Sequence, residues 1–308
     1  MIISASRRTD IPAFYADWFI NRVREGYCEV PNPFNPRQVA AVSLKAQDVD
    51  WIVFWTRSPR PLMRYLEELD DRGFGYYFQF TLLDYPAQID SHTPSTTRAL
   101  DTFRLLTDRI GAERVIWRYD PIVLSEITPV DYHLERFERL AAALQGYTKR
   151  VVASLLDVYA KARRRLEGLQ SQGARLLPVA HEKLNKNTTL PDELTSLFAG
   201  LGRLARAHNL EIQSCAEEID LAAYGISAGK CIDGGLIERL SGRPVIQQKD
   251  PGQRKACGCV VSKDIGMYDS CLFGCRYCYA TRSFEQARYN YAAHDPQAAS
   301  LYAPGSPR

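Results

Sequence analysis

Between Ile2 and Ser214, short β-rich segments alternate with longer amphipathic stretches six times, and no other feature limits the fold of this chain so strongly. The candidate strands are Ile2 to Ser6, Trp51 to Thr56, Tyr76 to Leu82, Val115 to Tyr119, Val151 to Leu155 and Leu210 to Ser214. Most are dense in β-branched or aromatic residues. The spans Asp17 to Arg24, Pro61 to Asp70, Thr96 to Ile110, Val130 to Leu144 and Asp192 to His208 carry apolar residues at three- and four-residue steps, the helical period. Such alternation predicts an α/β fold with a parallel sheet and right-handed crossovers. Six units suit a partial (β/α)6 TIM-like barrel, with a doubly wound open sheet as the alternative. The 308 residues, 45% of them hydrophobic, suffice for a large core. No apolar run reaches the eighteen or so residues of a membrane helix, so no membrane partner is expected.

In parallel barrels, function gathers where strands end and βα loops begin. Polar residues collect at those points here: Arg7, Arg8, Thr9 and Asp10; Thr56 and Arg57; Asp84; Arg118 and Asp120; Asp157; and Glu217 with Glu218 after Cys215. Gln79, Thr81, Arg118 and Ser154 interrupt apolar strands, where a polar side chain must find a partner or line a cavity. Together they predict a chamber at the strand ends.

Five of the eight cysteines lie within twenty-two residues, and Cys271, Cys275 and Cys278 form C-x3-C-x2-C with Tyr277 before the last. Three thiolates from one short loop can converge on a single inorganic centre, and a [4Fe-4S] cube held by three keeps one iron open. Cys215, Cys231, Cys257 and Cys259 are the right number to ligate a second, auxiliary [4Fe-4S] cluster, the alternative being that Cys215 and Cys231 are ordinary buried thiols. Structural zinc is the competing centre, since Cys257 and Cys259 could complete a four-thiolate site with part of the triplet. Cys28 stands alone and reads as structural. MIISASRRTD has no apolar stretch of signal-peptide length, so reduced thiols and a cytoplasmic location are expected.

The stretch CLFGCRYCYA resembles the cluster-binding loop of the radical S-adenosylmethionine (SAM) superfamily. The resemblance implies that Cys271, Cys275 and Cys278 are the cluster ligands, that SAM chelates the open iron, and that the backbone around Tyr277 lies against the adenine. It implies a flavodoxin or ferredoxin-type reductant, and names no substrate. Arg118 and Asp120 are the candidate catalytic pair. Arg118 suits a bidentate bond to the SAM carboxylate, or a purely structural pairing with Asp120 or another acid. Glu217, with Glu218, is a candidate for ribose hydroxyls or substrate.

In the superfamily the cluster loop follows the first barrel strand, whereas here it follows the sixth. The barrel is therefore expected to be circularly permuted, with a strand near Val260 before the loop, or the last residues fold back over its mouth. Residues 1–220 would form the barrel and 221–308 a cysteine-rich iron-sulfur segment packed on it. Across nearly its full length, through SRRTDIP, FWTRSP, FQFTLLDYP and VIWRYDPI, the chain resembles a bacterial domain-of-unknown-function family with this C-terminal motif. VIWRYDPI is also distantly similar to spore photoproduct lyase-like proteins, which raises nucleic acid as a partner. A net charge of +3 is too slight to argue for it, and the basic run KARRRLEGLQ reads as a solvated helix face.

His92, His133, His181, His208 and His294 show no metal-ligand spacing, and Gly234 with Gly235 reads as a turn. Two functions remain: a radical SAM enzyme, or a non-catalytic iron-sulfur electron-transfer or zinc-binding structural protein.

Overall fold

The computed structural model describes residues 1–35, 37–181, 184–185 and 188–302. Among the described residues the strands are β1 (Ile2–Ala5), β2 (Tyr27–Pro31), β3 (Val39–Ser43), β4 (Trp51–Thr56), β5 (Tyr76–Thr81), β6 (Val115–Ile122), β7 (Arg150–Leu155), β8 (Glu211–Ser214), β9 (Ser227–Ala228) and β10 (Lys263–Asp264). The helices are α1 (Ile11–Phe14), α2 (Ala16–Glu25), α3 (Arg60–Met63), α4 (Leu66–Asp71), α5 (Thr96–Ile110), α6 (Val130–Ala143), α7 (Ala160–Glu167), α8 (Asp192–Ala207), α9 (Gly234–Ser241) and α10 (Phe284–Ala292). Among the described residues no helix is long and apolar enough to cross a membrane.

Eight strands form one sheet in the order β10-β1-β4-β5-β6-β7-β8-β9, every pair parallel. The sheet is open, with β10 and β9 as its edges. From β1 to β9 the spatial order follows the sequence without reversal, so the doubly wound alternative is not adopted. The expected strand near Val260 is β10 at Lys263–Asp264, in register with Ile3 and Ser4. The last β-loop-α unit of the chain is thereby the first of the sheet. Beside it, β2 and β3 form an antiparallel hairpin that buries Cys28 opposite Val42.

Strand alternation divides the core in two. Ile3, Phe54, Phe78, Trp117 and Val151 face the layer built by Phe19, Leu69, Phe103, Phe137 and Leu201 of the helices. Ile2, Val53, Tyr77, Ile116 and Val152 point to the other face, where Ile232, Leu236 and Ile237 cover them together with Cys231, Cys257 and Cys259. Gly234 and Gly235 therefore do not make a turn. They open α9, where the Asp233 carboxylate accepts from Gly235 N at 3.0 Å. A Cβ on Gly234 would come within 2.6 Å of the Gln247 side-chain amide, the movable end of an exposed side chain.

Candidate functional site

The loop after β1 is fixed by the segment after β10. Asp264 accepts from Ser4 Oγ and Ser6 Oγ at 2.7 Å each, from Arg7 N at 2.9 Å and from Arg8 Nε at 3.1 Å. Burial works to raise this carboxyl, but the Arg8 guanidinium and the Ser6, Arg7 and Ser4 hydrogen bonds outweigh it and hold it below its ordinary value. Thr9 Oγ1 accepts from Met267 N at 2.9 Å and donates to Met267 O at 2.8 Å. The approach is close enough that a Cβ on Gly266 would lie 2.1 Å from Ser6 Oγ.

Cys271, Cys275 and Cys278 occupy the loop between β10 and α10. The loop is stitched to the β5–α5 connection: Arg276 N donates to Ile89 O at 3.0 Å, His92 N to Phe273 O at 3.2 Å and Ser91 Oγ to Gly274 O at 3.1 Å. Gly274, at φ +68°, makes the turn between the first two cysteines. From below, Arg57 pairs with buried Asp90 at 2.8 Å and donates to the Tyr277 hydroxyl, which itself donates to Asp90 at 3.2 Å. From the side, Arg165 of α7 gives its guanidinium to three carbonyls of the loop and its exit, those of Arg276 at 3.1 Å, Arg282 at 3.2 Å and Cys278. KARRRLEGLQ is thus only partly a solvated face, because Arg165 turns inward to hold the loop. The helix period alone could not assign that partner, over one hundred residues away.

The other four cysteines gather on the opposite side of the same cavity. Cys215 follows β8, Cys231 follows β9, and their sulfurs are 3.1 Å apart. Cys259 touches both Cys231 and Cys257, so the thiols form a chain rather than surround one point. Arg118 Nη1 donates to Cys231 Sγ at 2.8 Å, while Gln79 Nε2 donates to Cys231 O at 2.8 Å. Hydrogen bonds from neighbouring thiols pull Cys215 and Cys259 below the ordinary thiol value, assisted by Arg118 and Arg7 respectively. Among the described residues no group of three or more His, Cys, Asp or Glu side chains could hold a single metal ion.

One cavity of about 460 Å³ is lined by all seven of these cysteines together with Arg7, Arg8, Arg57, Arg118, Asp120 and Tyr277. Thr81 and Ser154, two of the polar strand residues, line it as well. Arg118 is engaged with Cys231 and with Asp120, whose other oxygen accepts from Ser154. Glu217 lies elsewhere, in the wall of an adjoining cavity of about 910 Å³, where its carboxylate accepts from Leu155 N at 2.8 Å. Burial lifts this carboxyl to about 7. Glu218 lines that cavity too. Asp84 is taken by Arg139, Arg136 and Thr96. His133 is packed in the core, and the His181 side chain lies outside the described residues.

A family model described as Domain of unknown function (DUF1848) matches residues 2–280. The chain belongs to this family. No curated protein matches the chain. The DUF1848 match runs from β1 to Ala280 and so takes in all seven cavity cysteines and both arginine-bearing loops.

The residues of this DUF1848 chain fit an iron-sulfur centre at the triplet. Burial raises the Cys271 and Cys275 thiols, with Arg57 working against the rise at Cys275, so the thiolates would have to be stabilised by the charge of a bound centre. Backbone groups at Phe273 and Asp10 work against that rise at Cys271. At Cys215, Cys231, Cys257 and Cys259 the ligand number fits, and the touching sulfurs would have to separate around a cube.

Proposed function

We propose that this chain is a radical SAM enzyme in which Cys271, Cys275 and Cys278 hold a [4Fe-4S] cluster. One observation carries the reading: three thiols of a single strand-loop-helix connection open onto the arginine-lined cavity at the C-terminal ends of a parallel sheet. With SAM on its open iron and one electron delivered, the bound cluster would supply a 5'-deoxyadenosyl radical.

The chain's own groups prepare that site. Arg165 fixes the loop carbonyls, and Arg57 with Asp90 holds the Tyr277 ring. The sheet order supports a partial (β/α)6 barrel in permuted form, because β10 stands ahead of β1 and carries the loop expected after a first strand. Residues 221–308 then act as the iron-sulfur segment of this barrel. Cys215, Cys231, Cys257 and Cys259 form an auxiliary cluster site, for which their gathering beside Arg7 and Arg118 is the support. A flavodoxin or ferredoxin-type donor would reduce the protein, as expected of cytoplasmic enzymes of this chemistry.

Anaerobic reconstitution tests the reading. The parent should bind iron and sulfide, give a reduced [4Fe-4S] signal that SAM perturbs, and release methionine with 5'-deoxyadenosine. Replacing Cys271, Cys275 and Cys278 with Ala should abolish the SAM response, and about four irons, one cube, should remain. Stoichiometric zinc, or iron indifferent to SAM, would instead support the non-catalytic alternative.

A further inference from the structure

The cations of this chain are unevenly placed. Residues 160–167 and 276–288 hold seven Lys or Arg and two Glu, an excess of five, whereas the whole chain has an excess of three. The remainder is therefore net acidic. Asp269 accepts from Arg282 N and Ser283 N, and counting it with the two segments still leaves an excess of four.

The two segments meet in one surface. Arg165 of α7 donates to the carbonyls of Arg276, Cys278 and Arg282 and lies 5.1 Å from the Phe284 ring at the start of α10. Lys161 precedes Arg164 by three positions and Arg165 by four, so the three share a face of α7, and Arg288 follows Phe284 by one turn of α10. Lys161, Arg164, Arg282 and Arg288 are exposed, and among the described residues none of them makes an ion pair.

This surface backs the cysteine triplet. The Arg165 guanidinium touches both Cys278 O and the carbonyl of exposed Arg282, so a single side chain separates the patch from the loop. On its other side the triplet opens into the cavity, which SAM and substrate take on the reading above. An electron therefore has the back of the loop as its way in.

We infer that this basic surface docks the electron donor, a small one-electron carrier protein with an acidic face around its prosthetic group. One electron leaves the reduced carrier and enters the oxidised cluster, and no bond is made or broken. Encounters of this kind bury less than about 1,200 Å², and opposite charge steers them. That the electron reaches a cluster rests on the radical SAM reading; the docking does not.

The probe is a reduced flavodoxin, an acidic FMN protein, mixed anaerobically with the reconstituted full chain. Calorimetry should show binding that weakens with salt, and stopped-flow absorbance should follow the electron into the cluster. Lys161→Glu, Arg164→Glu and Arg282→Glu together should weaken binding and slow transfer about tenfold, because the charges that steer the encounter are reversed. Lys45→Glu, Lys149→Glu and Arg203→Glu, at exposed cations outside the two segments, change the net charge equally and should do neither. Unchanged iron content in both proteins certifies that they are folded. No loss in the first protein, or an equal loss in the second, would overturn the inference. A DNA oligonucleotide that binds the parent and not the first protein, while flavodoxin binding is unchanged, would assign the surface to nucleic acid and overturn it too. A parent that docks flavodoxin through these cations yet cleaves no SAM would sink the enzyme reading and leave the docking surface standing.

Discussion

Arg118 Nη1 donates to the Cys231 sulfur across 2.8 Å, joining the middle of β6 to the loop after β9. The same guanidinium is paired with Asp120 and is almost fully buried. Arg118 therefore serves the second cysteine group, and its expected bond to a SAM carboxylate would require giving up one of these partners. Arg118→Met should cost about 2 kcal/mol in denaturant unfolding, because the half-buried Asp120 carboxylate loses its counter-charge. In reconstituted protein it should lower the iron held outside the triplet and leave the SAM response intact. Loss of the SAM response at unchanged iron content would return Arg118 to the cofactor.

Arg165 reaches from α7 to the carbonyls of Arg276, Cys278 and Arg282. A lysine presents no planar fork and cannot meet all three acceptors at once. Arg165→Lys should therefore loosen the triplet loop, costing about 2 kcal/mol. Amide exchange at residues 276–282 should accelerate and iron should leave the triplet faster under chelator, while β4 to β7 stay protected. Unchanged exchange in the loop would show that the clamp is not what holds it.

Burial lowers His133 from 6.5 to about 4. Its Nε2–H donates to Val123 O at 3.1 Å, and Nδ1 shares a 3.0 Å hydrogen bond with the Tyr119 hydroxyl, which also donates to His133 O at 3.3 Å; burial is what keeps the ring neutral. Above pH 6.5 the group is neutral folded and unfolded alike. As pH falls from 6.5 to about 4 the unfolded chain takes up a proton that the folded one refuses, and about 3 kcal/mol of stability is lost. His133→Gln, whose amide can donate to Val123 and accept from Tyr119, should flatten that part of the stability-against-pH curve. An unchanged slope would mean the ring is free to charge in place.

The principal strands and helices were legible because each is written in its own residues. The helical period of 3.6 is carried whole by Thr96–Ile110, and Trp51–Thr56 is a continuous aromatic and β-branched run bounded by polar residues. Where a partner supplies the reason, local reading failed. β9 and β10 have two residues each and exist only because β8 and β1 offer them an edge. The Pro61 to Asp70 span divides into α3 and α4 at Arg64 and Tyr65, and Gly234 begins a helix capped by the Asp233 carboxylate.

The sequence by itself determined the triplet, since Cys271, Cys275 and Cys278 share eight residues and a loop that short cannot keep its sulfurs far apart. It also marked Arg7 and Arg57 as strand-end residues, whereas Arg118 and Asp120, expected at a strand end, lie within β6. Only the tertiary structure brought Cys215, Cys231, Cys257 and Cys259 together, turned Arg165 onto the loop and moved Glu217 into a separate chamber. Those contacts join residues 16 to more than 100 positions apart, or depend on which side of a strand end a side chain leaves. Spacing along a chain says nothing about either until the sheet has set its order.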